Sequence, residues 1–303
     1  FVDELRDSCD VLAALTHIGW PGDSALAAEV CGLDVIIGAH SHTPIDPPRQ
    51  VNGTVIVQSG PYGRNLGRLV VDVDTAGGGL KGFRGELIEV VEGPIPPDRK
   101  VARTVRKLEK KFTGKLDRHI GTLQTDLEMK PDRSCSLAQW AVDAMLHMTR
   151  RKVSDKLVLA VLNNGNLRRG LSAGPLTERD IWEICPFENQ IVIFEMNGEE
   201  LVQVVENQLA APREFLTWSG LHMQSEGGRI VNLTVRRQPV SRMDVFSVVT
   251  TGYLWDHLKS YTGLEPEGRA TFFPPLKQRD LLIEAVEDAK VITARCDDRW
   301  LVK

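Results

Sequence analysis

Short apolar blocks separated by polar turns run along the chain, and they predict strands and helices in alternation. An apolar run at 11–16 ends at a His-containing turn, and a run of β-branched residues at 33–38 is stopped by Gly38. Between them, residues 21–31 place Ala and Leu at helical spacing after a proline, which predicts a short helix. Strand, helix and strand in this order are typical of an α/β fold, in which chemistry collects at the carboxyl ends of the strands.

The pattern changes in the middle of the chain. Residues 51–74 predict two strands around a turn rich in Gly and Pro, and 75–82 predict a loop. The proline-rich stretch 93–100 indicates a boundary. Residues 98–116 predict a charged amphipathic helix, which suits a connector lying between domains. Its narrow apolar stripe consists of Val101, Val105, Leu108 and Phe112.

Beyond this connector, helical and strand patterns are mixed. The predicted helices are 137–152, 177–187 and 198–210, and the predicted strands are 156–165, 190–196, 229–237 and 244–251. The helix at 177–187 opens with a threonine and acidic residues, a good start signal. We therefore predict three parts: a first domain over 1–95, a connector helix over 96–120 and a second domain over 121–303.

Composition narrows the class of protein. The 303 residues are 42% hydrophobic and 26% charged, which is typical of globular domains with sizeable cores. A net charge of -4 gives no basic footprint for DNA, RNA or an anionic membrane, and no apolar run approaches the length of a membrane span. Five scattered cysteines form neither a disulfide framework nor a structural zinc motif, although one pairing stays open.

Three histidines carry the first candidate chemistry. His17, His40 and His42 follow predicted strands, in turns that contain glycine. Rigid strand ends fix the positions of metal ligands, and two histidines two residues apart can reach two ions about 3.5–4 Å from each other. For the three histidines together we favour a metal site, whereas for His17 taken alone we favour an ordinary surface or core role.

The surrounding segments resemble a known family. LTHIGW, DVIIGAHSHTPI and VNGTVIVQSGPYGRNLGRL follow one another as in the closing half of the metallophosphoesterase domain of bacterial 5′-nucleotidases and UDP-sugar hydrolases. The resemblance implies that His17 and His40 bind one metal ion and that His42 binds its partner. It also implies a fold of the α/β and α+β classes: the C-terminal part of a four-layer αββα sandwich, joined by a connector helix to a mixed α/β C-terminal domain.

The opening motifs of that catalytic domain do not occur in this sequence. They are a D-x-H motif, a Gly-Asp pair and a Gly-Asn-His-(Glu/Asp) motif, which in the family supply the bridging carboxylate, further metal ligands and the histidine that stabilises the transition state. We therefore expect Phe1 to lie inside the catalytic domain and the catalytic residues to lie upstream of it. The chain is then an N-terminally truncated fragment, inactive by itself.

The resemblance continues into the second half of the chain. SCSLAQWAVDAML is similar to a helix motif of the family's C-terminal domain, and VLNNGNLRRGLSAGPLTERDIWEICPFENQ is similar to its signature. By this match Asn163 contacts the base, Arg168 the phosphate or nearby ribose, and Phe187 one side of a base clamp. Asn189 lies close to the clamp, and Arg133 is a further candidate for an anion contact.

The residue types of this segment also fit a ligand site without the resemblance. Asn163, Gly165 and Asn166 form a loop that presents amide groups, and the guanidinium of Arg168 carries a fork of donors suited to phosphate or carboxylate. Phe187 offers a flat face for a nucleobase. Two plainer interpretations stay open: Phe187 packs in the core, or Arg168 is a solvated surface residue.

One segment departs from the family pattern. Relatives carry N-[FY]-L-x-x-G-G-D-x-[FY], whose aspartate holds the ribose hydroxyls, where this chain has GYLWDHLKSYTG. Tyr253 stands in place of the stacking aromatic. His257, Leu258 and Lys259 replace the Gly-Gly-Asp, so a lysine occupies the position where a ribose needs a carboxylate. The natural substrate therefore stays open.

Taken together, the resemblance implies a metal-dependent phosphoester hydrolase of the 5′-nucleotidase type that acts in nucleotide catabolism in the periplasm or outside the cell. It implies two divalent ions, for which histidine and carboxylate ligands favour Mn, Zn, Co or Fe. The expected partner is a small nucleotide or related phosphate ester and not a nucleic acid polymer. The alternatives are a sulfate-thioester hydrolase of the same two-domain plan and a non-catalytic nucleotide-binding module. The oligomeric state stays open.

Overall fold

The computed structural model of the chain describes residues 1–91, 93, 95–210, 214–269 and 271–303. Pro94, within the stretch predicted to be a boundary, lies outside the described residues. Contacts divide the chain into two compact units, which we call unit 1 (Phe1–Ala102) and unit 2 (Arg103–Lys303). The division falls inside a helix at Arg99–Leu116, the segment predicted to be a connector.

Unit 1 contains a four-stranded sheet and two helices. The helices are α1 (Val2–Arg6) and α2 (Gly19–Glu29). The strands are β1 (Ala13–Leu15), β2 (Val35–Ile37), β3 (Arg49–Val51), β4 (Thr54–Val57), β5 (Asn65–Val73) and β6 (Leu80–Glu89). The sheet has the order β1-β2-β4-β3, in which β1, β2 and β4 are parallel, while β5 pairs with β6 in an antiparallel ribbon.

The predicted strand–helix–strand order at the start of unit 1 is present. Ile36 of β2 and Ile56 of β4 are fully buried and pack in one apolar cluster with Ala27 of α2. Burial of these side chains holds the sheet against the helix. The prediction of a loop over 75–82 was wrong for its last residues, since β6 begins at Leu80. Half of the residues of β6 are exposed, none is buried, and the strand is held by pairing with β5, so the sequence contains no buried face that would predict it.

The rest of the chain, from Arg99 onward, contains a long helix and most of the other helices and strands. The helices are α3 (Arg99–Leu116), α4 (Ser136–Lys152), α5 (Glu178–Ile184), α6 (Gly198–Ala210), α7 (Gly252–Asp256), α8 (Leu258–Thr262) and α9 (Gln278–Ala289). The strands are β7 (His119–Leu123), β8 (Leu159–Asn163), β9 (Gly174–Thr177), β10 (Ile191–Asn197), β11 (Leu216–Ser219), β12 (Leu221–Glu226), β13 (Arg229–Val235), β14 (Gln238–Pro239), β15 (Val245–Thr251), β16 (Thr271–Phe272), β17 (Val291–Ile292) and β18 (Trp300–Val302).

A five-stranded mixed sheet organises unit 2. Its order is β11-β8-β15-β10-β16, with β8 parallel to β15 and the other neighbours antiparallel. Both faces are covered: Leu162 packs against the cluster of α4, α5 and α9, while Val161 packs against a second cluster that includes α6 and α7. Strand β8 is therefore buried along its whole length, which explains its continuous apolar run.

Smaller elements complete unit 2. Strands β14, β13, β12 and β18 form one sheet, and β17, β7 and β9 form another. Helix α5 begins with a capping box between Thr177 and Asp180, as its sequence predicts. It ends at Ile184 rather than 187, because Cys185 precedes a proline and such a residue disfavours the helical conformation.

Two general features of the chain bear on the sequence predictions. All five cysteines lie among the described residues, and each is a free thiol; burial raises the pKa of the Cys185 thiol to about 12. In the part of the chain that the structure describes, no helix combines the length and the apolar character needed to cross a membrane.

The buried position of Leu162 gives a test of this packing. Replacing Leu162 with Ala removes a fully buried side chain from the main core, and we expect the free energy of unfolding of unit 2 to fall by about 2–5 kcal/mol. The matched change Leu108→Ala, on the half-exposed face of α3, should alter it by less than about 0.5 kcal/mol. Urea unfolding followed by tryptophan fluorescence measures both, and equal effects would contradict the assigned core.

Candidate functional site

Two of the predicted histidines lie side by side in unit 1. His17 follows β1 and His40 follows β2, and these strands are parallel neighbours, so their carboxyl ends share one edge of the sheet. The two imidazole rings are 5.1 Å apart between centroids, and both residues are exposed. The structure therefore brings this pair together by strand order.

His42 contacts Tyr62. Its ring lies edge-on to the ring of Tyr62, with 5.5 Å between centroids. His40 and His42 both have left-handed backbone conformations, with φ of 80° and 56°, which few residues other than glycine adopt. Strain of this kind persists only where the surroundings hold it in place.

Gln58, which the sequence did not single out, holds this loop. Its side chain is 4% exposed, and its amide nitrogen donates to the carbonyl of Ala39. Its amide oxygen accepts from the backbone of Thr43 at 2.8 Å and from the hydroxyl of Ser41 at 3.2 Å. The turn that carries His40 and His42 is thus anchored to the end of β4 by one buried amide.

The residues of unit 1 fit a metal centre only in part. His17 and His40 are placed to serve as two ligands of one ion. Beside their loops, Asp23 is fully buried: one carboxylate oxygen accepts from the hydroxyl of Thr16 at 2.6 Å, and the other, packed against Gly38, has no hydrogen-bond partner among the described residues. Over the described ranges, no three His, Cys, Asp or Glu side chains form a group that could hold an ion.

The second group of predicted residues lies at one edge of the five-stranded sheet. Asn163 ends β8, Thr251 ends the parallel strand β15, and Ile191, which begins β10, is the register partner of Thr251. The segments that follow or precede these three residues therefore emerge together. They carry Gly165, Arg168, Phe187, Asn189 and Tyr253.

Arg168 and Phe187 form a direct pair at this edge. The guanidinium carbon of Arg168 lies 4.7 Å from the centre of the Phe187 ring, and both side chains are exposed. Phe187 is 40% exposed, so it does not pack in the core. A guanidinium stacked on a ring keeps its in-plane N–H donors directed outward, which leaves them able to bind an anion.

A chain of buried amides holds the loop that carries Phe187. Asn189 donates to Asn166 at 2.9 Å, and Asn166 donates to Gln278 at the start of α9 at 2.7 Å. Asn166 and Gln278 are 3% and 0% exposed. The backbone N–H of Gln278 donates in turn to the carbonyl of Asn189, and Arg279 donates to the carbonyl of Pro186. Sequence analysis missed Gln278 and Arg279, since α9 lies far along the chain.

Asn163 contacts a residue that sequence analysis also missed. Its amide nitrogen donates to the Glu214 carboxylate at 3.1 Å, and the hydroxyl of Tyr261 donates to the same oxygen at 2.6 Å. The carboxylate lies so close to Gly165 that a Cβ there would come within 1.6 Å of it, so a larger residue would displace the Glu214 side chain. Tyr253 is stacked on His257, with 4.5 Å between ring centroids.

Two charged residues stand apart from these clusters. The guanidinium of Arg133 pairs with its neighbour Asp132 at 2.7 Å and is exposed, so the structure does not join it to Arg168. Lys259, which replaces the family's aspartate, forms an ion pair with Glu265, and this bond raises the pKa of the lysine. The charge of Lys259 is therefore paired with that of Glu265.

Comparison with known proteins matches this arrangement to one family. The model of the 5′-nucleotidase C-terminal domain matches residues 113–265, just over half of the chain. An apyrase of Aedes albopictus is 26% identical over 98% of this chain and 59% of its own length. A 5′-nucleotidase of Vibrio parahaemolyticus is 26% identical over 75% of this chain and 48% of its own. The chain thus spans about half of the length of these relatives.

Solved structures agree on the fold. The structure of a 5′-nucleotidase precursor from Thermus thermophilus superposes with a TM-score of 0.82 and 23% identity, over 99% of this chain and 66% of that one. The mixed α/β architecture predicted from the sequence is confirmed by this match. The family model covers the sheet edge that carries Asn163, Arg168, Phe187 and Tyr253, and the chain belongs to the 5′-nucleotidase family.

Proposed function

We propose that the protein to which this chain belongs is a metal-dependent hydrolase that releases phosphate from nucleotides or related phosphate esters. The observation that carries the proposal is the Arg168–Phe187 pair at the sheet edge of unit 2. It sets an exposed aromatic ring beside an exposed guanidinium, the two groups needed for a nucleobase and a phosphate. Family membership supports the same class of reaction.

In this proposal unit 2 grips the nucleotide. Arg168 binds the phosphate or the nearby ribose, and Phe187 stacks on the base with Tyr253 as the second aromatic. One face of each ring is covered, by Arg168 and by His257 respectively, so the base uses the remaining exposed surface. Asn189 and its buried partners hold the Phe187 loop in place.

Unit 1 contributes to the metal centre. We assign His17 and His40 to one ion and His42 to a second, with Mn, Zn, Co or Fe as candidates. Two such ions, when bound, lower the pKa of a water and neutralise phosphoryl oxygens. The strained backbone of His40 and His42, anchored by Gln58, supports a functional role for this turn. The described residues offer no group of three ligands, and we propose that further ligands come from another part of the protein.

We infer a location outside the cytoplasm, in the periplasm or beyond, and a small nucleotide as the partner. A sulfate-thioester hydrolase and a nucleotide-binding module without catalysis are the competing functions. A substrate panel separates all three.

Hydrolysis gives the direct test, followed as phosphate from AMP and the aryl phosphate, as nucleotide products from the UDP-sugar and the cyclic nucleotide, and as sulfate from the thioester. The 303-residue chain is compared with a chimera that adds the N-terminal part of the Thermus thermophilus relative, using AMP, a UDP-sugar, a cyclic nucleotide, an aryl phosphate and a sulfate thioester. Mn, Co or Zn is added in turn. We expect release from AMP or the UDP-sugar by the chimera alone, because only the chimera completes the metal ligands.

The other outcomes each count against part of the proposal. Full activity of the 303-residue chain would contradict the account of the metal site. Turnover of the thioester alone would favour the sulfur reaction. Nucleotide binding without turnover by either protein would favour the binding module.

The role of Arg168 has its own prediction. Arg168→Ala removes the donors that we assign to the phosphate, so the affinity for AMP should fall roughly tenfold or more, while that for adenosine should change less than about twofold. The control Arg229→Ala removes an exposed arginine of β13 and should leave both unchanged. Calorimetric titration of the 303-residue chain measures these affinities. Equal losses for AMP and adenosine would contradict the assignment.

A further inference from the structure

Helix α3 carries an apolar stripe that the rest of the chain does not cover. Its members are spaced three or four residues apart, and each is between 46% and 61% exposed: Val101, Val105, Leu108 and Phe112. No residue of the helix is buried. Most helices in proteins owe their stability to the packing of such a face. In the part of the chain that the structure describes, the stripe of α3 therefore stays about half uncovered.

The same helix concentrates positive charge. Eight of its 18 residues are Lys or Arg and one, Glu109, is acidic, whereas the whole chain has a net charge of -4. Leaving Lys100 aside, none of these cations forms an ion pair with a carboxylate among the described residues. The chain as a whole gives no basic footprint, but this segment does.

Part of this charge lies beside the stripe. Lys111 and Lys115 follow Leu108 by three and seven residues, so they form a row along one side of it. The ammonium group of Lys111 lies 5.2 Å from the centre of the Phe112 ring. Long lysine side chains at such positions lay their methylene groups along apolar surface and keep their charge at its border. One partner can therefore meet both the apolar residues and the charge.

These properties distinguish between partners. A second copy of α3 would bring two surfaces of the same charge together, and this repulsion opposes self-association. A nucleic acid would meet the charge through its phosphates but would leave the apolar stripe in water. An anionic lipid surface meets both, because its headgroups attract Lys and Arg and its acyl chains accept apolar side chains.

We propose that α3 is a membrane-surface helix, which lies on an anionic bilayer with its stripe at the boundary between headgroups and acyl chains. Basic amphipathic helices of this kind lie in the plane of the membrane and do not span it. Because the stripe has only four residues, binding is reversible. The inference goes beyond the proposed function and does not depend on the reaction or its substrate.

Co-sedimentation with vesicles tests this surface. The 303-residue chain is mixed with vesicles of phosphatidylcholine alone, or of phosphatidylcholine and phosphatidylglycerol in equal parts. We expect binding to the anionic vesicles to be roughly tenfold tighter or more, and to weaken roughly tenfold when salt rises from about 0.05 M to about 0.5 M. Hydrogen exchange should show added protection of the α3 amides. Protection elsewhere with α3 unchanged, or equal binding to both vesicles, would overturn the proposal.

Two double variants separate the stripe from the charge. Leu108→Ser with Phe112→Ser removes half of the stripe, and Lys111→Gln with Lys115→Gln removes two charges beside it. Each should weaken binding to anionic vesicles roughly tenfold, because apolar contact and charge both contribute. None of the four side chains is buried, so each variant should unfold at nearly the urea concentration of the parent chain.

A matched control makes the same kinds of change elsewhere. Val231→Ser with Arg229→Gln alters an exposed apolar residue and an exposed cation of β13, and it should leave vesicle binding unchanged. A loss as large as that of the α3 variants would mean that binding is not specific to α3, and the proposal would fail.

Two further outcomes would replace the lipid surface with another partner. If soluble polyglutamate binds as tightly as the anionic vesicles and the serine variant binds it equally well, α3 responds to charge alone and fits an acidic polymer or protein. If the chimera used for the hydrolysis test does not bind the vesicles, its added part covers the stripe. Either result overturns the membrane surface, and neither bears on hydrolysis.

Discussion

The turn at the end of β8 is the constraint on which unit 2 depends. It buries Asn163, Asn164 and Asn166 almost completely, and buried amides must find hydrogen-bond partners. Each asparagine has a partner in a different part of the chain, although the amide oxygen of Asn163 has none among the described residues. Asn163 reaches Glu214, and Asn166 reaches Asn189 and α9. Asn164 donates to two carbonyls of the segment 130–133 and accepts from Thr217. One polar turn therefore ties together the segments that carry Arg133, Asn189 and Glu214.

This arrangement explains why the exposed groups of the site are held in place. Phe187 and Arg168 stand at the surface, but the backbone on either side of them is tied to buried partners, Gln278 and Ile184. Groups on a rigid support lose little freedom when a ligand binds, which favours affinity. The same logic holds in unit 1, where the buried amide of Gln58 anchors the exposed histidine turn.

Much of the fold followed from local patterns. The buried strand β8, the capped helix α5 and the strand–helix–strand opening of unit 1 all have short-range signals, and the structure contains each of them. Strand β6 has no such signal, because none of its residues is buried and the strand is held by pairing with β5. Helix α5 also ends earlier than its pattern suggests, since a proline follows Cys185.

The candidate site was less predictable, for a physical reason. Motifs mark the residues that are close in sequence, such as Asn163 and Arg168. Their partners are distant: Glu214 lies 51 residues from Asn163, and Gln278 lies 112 residues from Asn166. Glu214 sits before an ordinary strand, and only the folded chain shows that its carboxylate faces Gly165 and Asn163. Lys259 stands where the sequence pattern of the family has an aspartate, and its ion pair with Glu265 is visible only in the folded chain.

The central claim is that the end of β8 is a nucleotide site, and a crystal structure of the 303-residue chain with AMP tests it most directly. The account predicts adenine stacked on exposed ring surface of Phe187 or Tyr253, and a phosphate within hydrogen-bond distance of Arg168. AMP bound at another place in unit 2, with this sheet edge empty, would contradict the account.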